Sequence, residues 1–66
     1  MKKMNRIKEV LNEKGIRQTW LAEKIGLSFS QTNAFVCNRR QPGLEMLFKI
    51  AEVLDVDVRE LINGSK

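Results

Sequence analysis

The sequence predicts a compact all-α domain of five short helices, and three observations support this fold class. Apolar residues recur at helical spacing in each segment. Residues typical of helix ends, chiefly glycine, asparagine, serine and aspartate, fall between these segments. The longest alternation typical of a strand covers only residues 55–58 and is bounded closely by helices. We expect a single domain over residues 1–66, with its core in about 5–62.

The first helix is expected to begin at a cap formed by Asn5 and to run to about Lys14. Gly15 then ends it, because glycine accepts the left-handed backbone that follows a helix. The inner face of this helix is formed by Ile7, Val10 and Leu11.

Helices two and three, Gln18–Ile25 and Phe29–Cys37, are joined by a tight turn, which is the geometry of a helix-turn-helix. Gly26 suits the end of helix two, because only glycine takes a positive φ without steric cost. Ser28 caps helix three through the amide of the second or third residue that follows. Any pair of helices in a small bundle needs similar spacing, so the motif alone leaves a purely structural hairpin open.

The fourth helix is strongly amphipathic, and a polar loop, residues 38–43, precedes it. Its predicted inner stripe consists of Leu44, Leu47, Ile50, Ala51 and Leu54. A last short helix is expected from a cap at Asp57 to Ile62.

Charge is unevenly divided along the chain. Residues 1–40 carry nine Lys or Arg against three Glu, whereas residues 41–66 carry three against five acidic residues. Since phosphate contacts supply most sequence-independent DNA affinity, the basic half indicates a surface for a polyanion. A well-solvated small surface would show the same modest charge.

The composition also excludes several classes of protein. Cys37 is the only cysteine and the chain has no histidine, so no intrachain disulfide, metal cluster or cofactor is expected. No apolar run has the length of a signal peptide or a membrane span. We therefore expect a cytoplasmic protein that has no membrane partner and no evident small-molecule ligand.

Motifs over nearly the whole chain resemble the lambda-repressor-like Cro/Xre family of helix-turn-helix DNA-binding domains. The resemblance covers about residues 5–62. Its markers are Arg6-Ile7, Lys14-Gly15-Ile16-x-Gln18, Leu21-Ala22-x-Lys24-Ile25-Gly26, Arg39-Arg40-Gln41-Pro42, Leu44-Glu45-x-Leu47-x-Lys49-Ile50-Ala51 and Leu54-Asp55-Val56-x-Val58-x-Glu60-Leu61. The resemblance implies a five-helix fold and binding to double-stranded DNA.

The chain departs from the family pattern at three places. Thr32 replaces the usual Ile or Val between helices two and three, so its hydroxyl has to find a backbone carbonyl one turn back or face solvent in part. Asn38 replaces a common glycine and is among the residues that accept a left-handed backbone. Leu11 and Val36 replace a partly buried Arg–Glu pair, and such an exchange is often neutral or stabilising.

The family's docking mode places residues 28–37 in the major groove. The residues then expected to face bases are Phe29, Ser30, Gln31, Asn33 and Ala34. Asn33 is suited to bond adenine, and Phe29 and Ala34 to touch a thymine methyl group. For Asn33 a solvated polar residue remains an equal alternative, and for Phe29 packing against helix two is slightly favoured.

Phosphate contacts are expected on both sides of the helical pair. Gln18 can donate its amide beside the free N–H groups at the start of helix two. The remaining candidates are Arg17, Asn38, Arg39 and Arg40.

Trp20 and Cys37 fall outside the predicted base and phosphate contacts. Trp20 lies off the apolar stripe of helix two, and we expect it in the core or half-buried. Cys37 is expected to be buried at the end of helix three, with a redox sensor as the weaker alternative.

Function implies dimerisation, because paired modules on half-sites about one helical turn apart are the usual route to useful affinity. The candidate homodimer interface consists of Met46, Phe48, Val53 and Ile62.

Three functions compete. The leading one is a transcriptional regulator, expected to be a repressor that binds a palindromic operator. The second is an antitoxin-like or other protein-interaction module with weak DNA binding, which predicts an exposed apolar tail, although Gly64-Ser65-Lys66 is polar. The third is an enzyme, for which no nucleophile, acid–base pair or metal site can be assembled.

Overall fold

The computed structural model describes residues 4–62, and the ends of the chain, including the polar segment 64–66, lie outside this description. Within it, four α-helices are followed by one 3₁₀ turn. They are α1 (Ile7–Lys14), α2 (Gln18–Ile25), α3 (Phe29–Val36), α4 (Leu44–Leu54) and the C-terminal turn Val58–Leu61. The strand-like pairing found in residues 4–62 is one isolated antiparallel bridge, between Asn5 and Ile62. The predicted all-α class is confirmed.

A single apolar core joins all of these elements. α2 packs on both α3 and α4, and the C-terminal turn packs on α4 and α1. The core residues are Ile7, Val10, Leu11, Leu21, Ile25, Val36, Ile50, Ala51, Leu54 and Leu61. Leu11 and Val36 are both buried in this core, as expected for an apolar replacement of an ion pair. The burial of these residues fixes how α2 and α3 lie against the rest of the domain.

The start of α1 differs from the prediction by one residue. The helix begins at Ile7, and Arg6 occupies the capping position without a side-chain cap. Asn5 Oδ1 still accepts the Ile7 N–H at 3.1 Å, from one residue further out. Asn5 is 3 % exposed, because its backbone and amide are held by contacts far along the chain. The C-terminal end of α1 agrees with the prediction, since Gly15 follows it with φ 66°.

α3 begins as predicted and ends one residue early. Ser28 Oγ accepts the Gln31 N–H at 3.1 Å, and Gln31 Oε1 accepts the Ser28 N–H at 3.1 Å, which completes a capping box. Thr32 is fully buried, and its hydroxyl donates to the Ser28 carbonyl at 2.9 Å. The helix ends at Val36, so Cys37, whose N–H still donates to the Asn33 carbonyl at 2.8 Å, is the C-cap rather than the last helical residue.

α4 corrects one predicted core residue. Leu44 is 71 % exposed, because it stands at the first position of the helix, beyond the residues that the core covers. The remainder of the stripe packs inward, with Leu47 partly buried against the core. α4 therefore presents an apolar residue to solvent at its N-terminus.

The predicted fifth helix is a 3₁₀ turn. Its four residues are too few to sustain α-helical bonding, and a capping box formed by Asp57 and Glu60 closes its start. Asp57 Oδ1 accepts the Arg59 N–H at 2.9 Å, and Arg59 Nε donates to the same oxygen at 3.1 Å. This side-chain hydrogen bond from Arg59 lowers the pKa of Asp57 below its usual value. Ile62 follows the turn in extended conformation and pairs with Asn5.

Within residues 4–62, no helix is both long and apolar enough to cross a membrane.

Candidate nucleic-acid interface

The turn between α2 and α3 has the geometry that the sequence predicts. Gly26 adopts φ 77° and donates its N–H to the Ala22 carbonyl at 3.0 Å. Leu27 packs against the core and Ala22 is buried, which lets the two helices approach closely. The two helices are thereby held as a helix-turn-helix, with the first turn of α3 at its outer end.

That first turn of α3 is exposed. Phe29 is 52 % exposed, so about half of its surface is open to solvent. Ser30 and Gln31 beside it are also exposed, although the Gln31 side-chain oxygen is engaged in the capping box. An aromatic ring and a hydroxyl group thus form the tip of the surface that α3 offers to a partner.

Ala34 does not belong to this exposed surface. It is only 9 % exposed, because its methyl group points into the domain. Its carbonyl accepts the backbone N–H groups of Arg39 at 2.9 Å and Arg40 at 3.1 Å. Ala34 therefore anchors the loop that carries the two arginines.

The half-buried side chain of Asn33 bonds to both sides of the helical pair. Its Nδ2 donates to Gln18 Oε1 at 3.3 Å, and its Oδ1 accepts from Arg39 Nη2 at 2.8 Å. Gln18 is the first residue of α2, whose N-terminus has no side-chain cap. Asn33 thus brings the start of α2, the face of α3 and the following loop together on one surface.

Asn38 has a structural role that the sequence did not reveal. It adopts φ 62°, as the left-handed position after α3 requires. Its Oδ1 accepts the backbone N–H groups of Met4 and Asn5 at 2.8 and 2.9 Å, and its Nδ2 donates to the Asn5 carbonyl at 3.2 Å. Because its amide bonds inside the domain, we no longer expect the Asn38 side chain to contact phosphate.

Asn5 and Gln41 complete this polar network, which is buried at Asn5 and Asn38 and reaches the surface at Gln41. Asn5 Nδ2 donates to the Phe35 carbonyl at 2.9 Å and to Gln41 Oε1 at 2.8 Å. Gln41 Nε2 in turn donates to Asn38 Oδ1 at 3.2 Å. The network ties the chain before α1 to the loop after α3, which fixes the base of the arginine-bearing loop.

The three arginines predicted to contact phosphate are exposed. Among residues 4–62, the ion pairs are Arg6–Glu13 and Arg59–Asp57. The positive charges of Arg17, Arg39 and Arg40 are thus not neutralised by a carboxylate in that part of the chain. These charges stand just before α2 and just after α3, and Arg39 bonds to Asn33 on α3, so positive charge borders the helix-turn-helix, as binding to a polyanion requires.

Trp20 and Cys37 are more exposed than predicted. Trp20 is 39 % exposed, with Lys24 Nζ 5.5 Å from the centre of its ring, a cation–π distance. Cys37 is exposed because α3 ends before it and its side chain lies outside the core. The predicted burial of Cys37 is wrong.

The residues predicted for a dimer interface fall into two groups. Met46 and Val53 are partly buried against the core. Phe48 and Ile62 are 54 % and 47 % exposed. Leu44, one turn before Phe48 on α4, adds to the exposed apolar surface.

No group of three or more Cys, Asp or Glu side chains within residues 4–62 is arranged to hold a metal ion.

Comparison with known proteins agrees with this geometry. A family model described as helix-turn-helix matches residues 7–61. The HTH-type transcriptional regulator SinR of Bacillus licheniformis is 39 % identical over 59 residues, which are 88 % of this chain and 53 % of SinR. The chain thus spans about half the length of this curated relative.

Solved structures of DNA-binding and regulatory proteins are also similar to this chain. A candidate DNA-binding protein from Bacteroides fragilis is 50 % identical, with a TM-score of 0.88 over 91 % of this chain and 97 % of that one. The restriction-modification controller C.AhdI of Aeromonas hydrophila is 31 % identical, with a TM-score of 0.74 over 82 % of each chain. SinR in complex with DNA is 38 % identical, with a TM-score of 0.71 over 82 % of this chain and 87 % of that one.

Proposed function

The chain belongs to the helix-turn-helix family of DNA-binding transcriptional regulators, and from this premise we propose that it is a repressor that binds a palindromic operator as a homodimer. The family is one of non-enzymatic DNA-binding proteins, so the proposal concerns which DNA is bound and how. We also propose that the protein acts in the cytoplasm, where such a regulator meets its operator.

The observation that carries the proposal is the position of Asn33 between Gln18 and Arg39. Its two hydrogen bonds bring the uncapped N-terminus of α2 and the arginine-bearing loop to the face of α3. Backbone N–H groups at a helix start and unpaired arginines are the groups that bind phosphate. With phosphates held on both sides, the first turn of α3 would lie at the floor of the major groove.

Base reading is proposed for the exposed residues of that first turn. Phe29 is suited to contact a thymine methyl group, and Ser30 to bond either a base edge or a phosphate. Gln31 lies at the edge of this surface, with its amide nitrogen directed away from the capping box. No arginine on α3 is available for the strong contact to guanine, so discrimination at each half-site is modest.

Phosphate anchoring is proposed for Gln18, Arg17, Arg39 and Arg40. The backbone of the loop is fixed by its hydrogen bonds to Ala34 and by the buried network around Asn38. A fixed loop loses little conformational freedom on binding, which favours affinity.

A homodimer is proposed through the exposed apolar residues of the C-terminal half, Leu44, Phe48 and Ile62. A single module of this size buries only about 600–1,000 Å² on DNA, so two copies on one operator gain affinity. A bound dimer that covers a promoter would exclude polymerase, which supports repression.

The test is selection of duplexes from a randomised DNA pool, followed by measurement of the dissociation constant at several salt concentrations. We expect a palindromic site to be enriched. The double change Arg39→Ala/Arg40→Ala should flatten the log–log salt dependence by about 0.9 for every phosphate that these arginines neutralise in the wild-type complex. Lys49→Ala, which removes a charge from α4, serves as the control and should leave the slope unchanged.

If no sequence is enriched and binding disappears at physiological salt, the operator-binding proposal fails. The exposed apolar surface of α4 would then point to a protein partner as the main target.

A further inference from the structure

The hydrogen bonds that join Arg39, Asn33 and Gln18 form a series in which each side chain donates to the next. Arg39 Nη2 donates to Asn33 Oδ1 at 2.8 Å, and Asn33 Nδ2 donates to Gln18 Oε1 at 3.3 Å. A guanidinium group has donors only, so Arg39 fixes which end of the Asn33 amide faces it. The Asn33 nitrogen is then turned toward Gln18 and selects the Gln18 oxygen.

The end of this series is an amide nitrogen that lacks a partner. Because the Gln18 oxygen faces Asn33, Gln18 Nε2 is directed away from it. This nitrogen is buried and has no hydrogen-bond partner within residues 4–62. A buried donor without an acceptor is costly, so the Gln18 side chain is stabilised when Nε2 turns outward to meet an acceptor.

The same two hydrogen bonds occupy the side-chain amide of Asn33. A bidentate contact to adenine needs both the nitrogen and the oxygen of the asparagine amide. In this structure the oxygen is held by a charged donor and the nitrogen by Gln18. Reading adenine would have to compete with both bonds for the orientation of the amide, including the charge-assisted one to Arg39.

We infer that Asn33 is a positioning residue for phosphate binding and not a reader of bases. It keeps the Gln18 oxygen bonded, so that Nε2 is the end of the amide that a rotation of the side chain exposes to a phosphate oxygen, and it holds the Arg39 guanidinium at the same edge. Sequence discrimination then falls to Phe29 and Ser30. This inference rests on the proposed DNA binding and assigns a different role to Asn33 within it.

The first test needs no DNA. The side-chain amide signals of Gln18 are recorded by NMR in the wild type, Arg39→Ala and Arg40→Ala. Both variants lose one charge from the same loop, but only Arg39 bonds to Asn33. The Gln18 signals should shift in Arg39→Ala and stay in place in Arg40→Ala; unshifted signals in Arg39→Ala would overturn the inference.

The second test measures binding of Asn33→Ala to the selected duplex and to an unrelated duplex. We expect the affinity for both duplexes to fall about tenfold. In this variant the Arg39 guanidinium is no longer held at the phosphate edge, and Gln18 Nε2 is no longer oriented. The ratio of the two affinities should stay within about twofold, because base contacts are unaffected. Thermal unfolding of the variant shows whether it is folded, and the salt slope should become shallower.

Double-mutant cycles separate this role from an independent contact. The losses of binding free energy caused by Asn33→Ala and Gln18→Ala should be strongly non-additive. Those caused by Asn33→Ala and Arg40→Ala should add. A loss confined to the selected duplex would overturn the inference and leave the proposed function standing. A wild-type protein that binds neither duplex would overturn the proposed function and the inference together.

Discussion

Asn5 and Asn38 are 33 positions apart in the chain and bond to each other twice in the interior. Asn38 Oδ1 accepts the Asn5 N–H at 2.9 Å, and Asn38 Nδ2 donates to the Asn5 carbonyl at 3.2 Å. Asn5 also bonds to the end of α3 and forms a backbone bridge with Ile62. One short segment before α1 thus connects the loop beside the proposed DNA interface with the end of the described chain.

Two substitutions at Asn38 can separate the effect of its left-handed backbone from the effect of its side-chain amide. Asn38→Gly keeps the left-handed conformation but removes the buried hydrogen bonds, and we expect the free energy of unfolding to fall by about 2 kcal/mol. Asn38→Ala adds backbone strain, for a further loss of about 1 kcal/mol. Urea unfolding measures both. The exposed Asn12→Ala is the control, and a stability of Asn38→Gly equal to that of the wild type would mean that the network contributes nothing.

Substitutions at Thr32 test whether its buried hydroxyl lowers the stability of the fold at α3. The Ser28 carbonyl also accepts the Thr32 N–H at 3.0 Å, so Thr32→Val leaves no acceptor unpaired. We expect this change to raise the free energy of unfolding by up to about 1 kcal/mol, because a methyl group replaces a desolvated hydroxyl. Thr32→Ser should lower it by about 1 kcal/mol through loss of a buried methyl group. Chemical denaturation gives both values, and a less stable Thr32→Val would show that the hydroxyl is required.

The proposed homodimer predicts a specific effect of Phe48. Phe48→Ser should raise the dissociation constant of the dimer at least about tenfold, as expected for an apolar residue at the centre of an interface. Because Phe48 is exposed in the single chain, the thermal stability of the monomer should change little. Analytical ultracentrifugation over a range of concentrations measures the constant. Trp20→Ser, an exposed aromatic residue on α2, is the control; a wild type that stays monomeric on and off DNA would refute this interface.

The C-terminal turn predicts a dependence of stability on pH. The hydrogen bond from Arg59 lowers the pKa of Asp57 in the folded protein, so the ionised carboxylate stabilises the fold. This contribution is complete above the usual pKa of an aspartate and is lost as the pH falls through the lowered value. Asp57→Asn should remove this part of the acid dependence while keeping a capping oxygen. Thermal unfolding of the two proteins at a series of acidic pH values tests this, and parallel curves would contradict it.

Local sequence signals were sufficient for the helices and their ends. The capping serine at position 28, the glycines at 15 and 26 and the apolar spacing act within a few residues, so they can be recognised without knowledge of the fold. The same holds for Thr32, whose hydroxyl bonds one turn back as expected. Errors in these elements were confined to one residue at the start of α1 and at the end of α3 and to the short C-terminal turn.

The sequence by itself therefore determined the all-α class, the helix-turn-helix and the uneven charge, because each arises from neighbouring residues or from composition. Only the tertiary structure decided that Asn38 is bound inside the domain, that Asn33 bonds to Gln18 and Arg39, and that Leu44 is exposed. The physical reason is that a polar side chain takes partners from whichever segments pack beside it. The partners of Asn38 before α1 lie more than thirty residues away in the chain, and no local pattern records them.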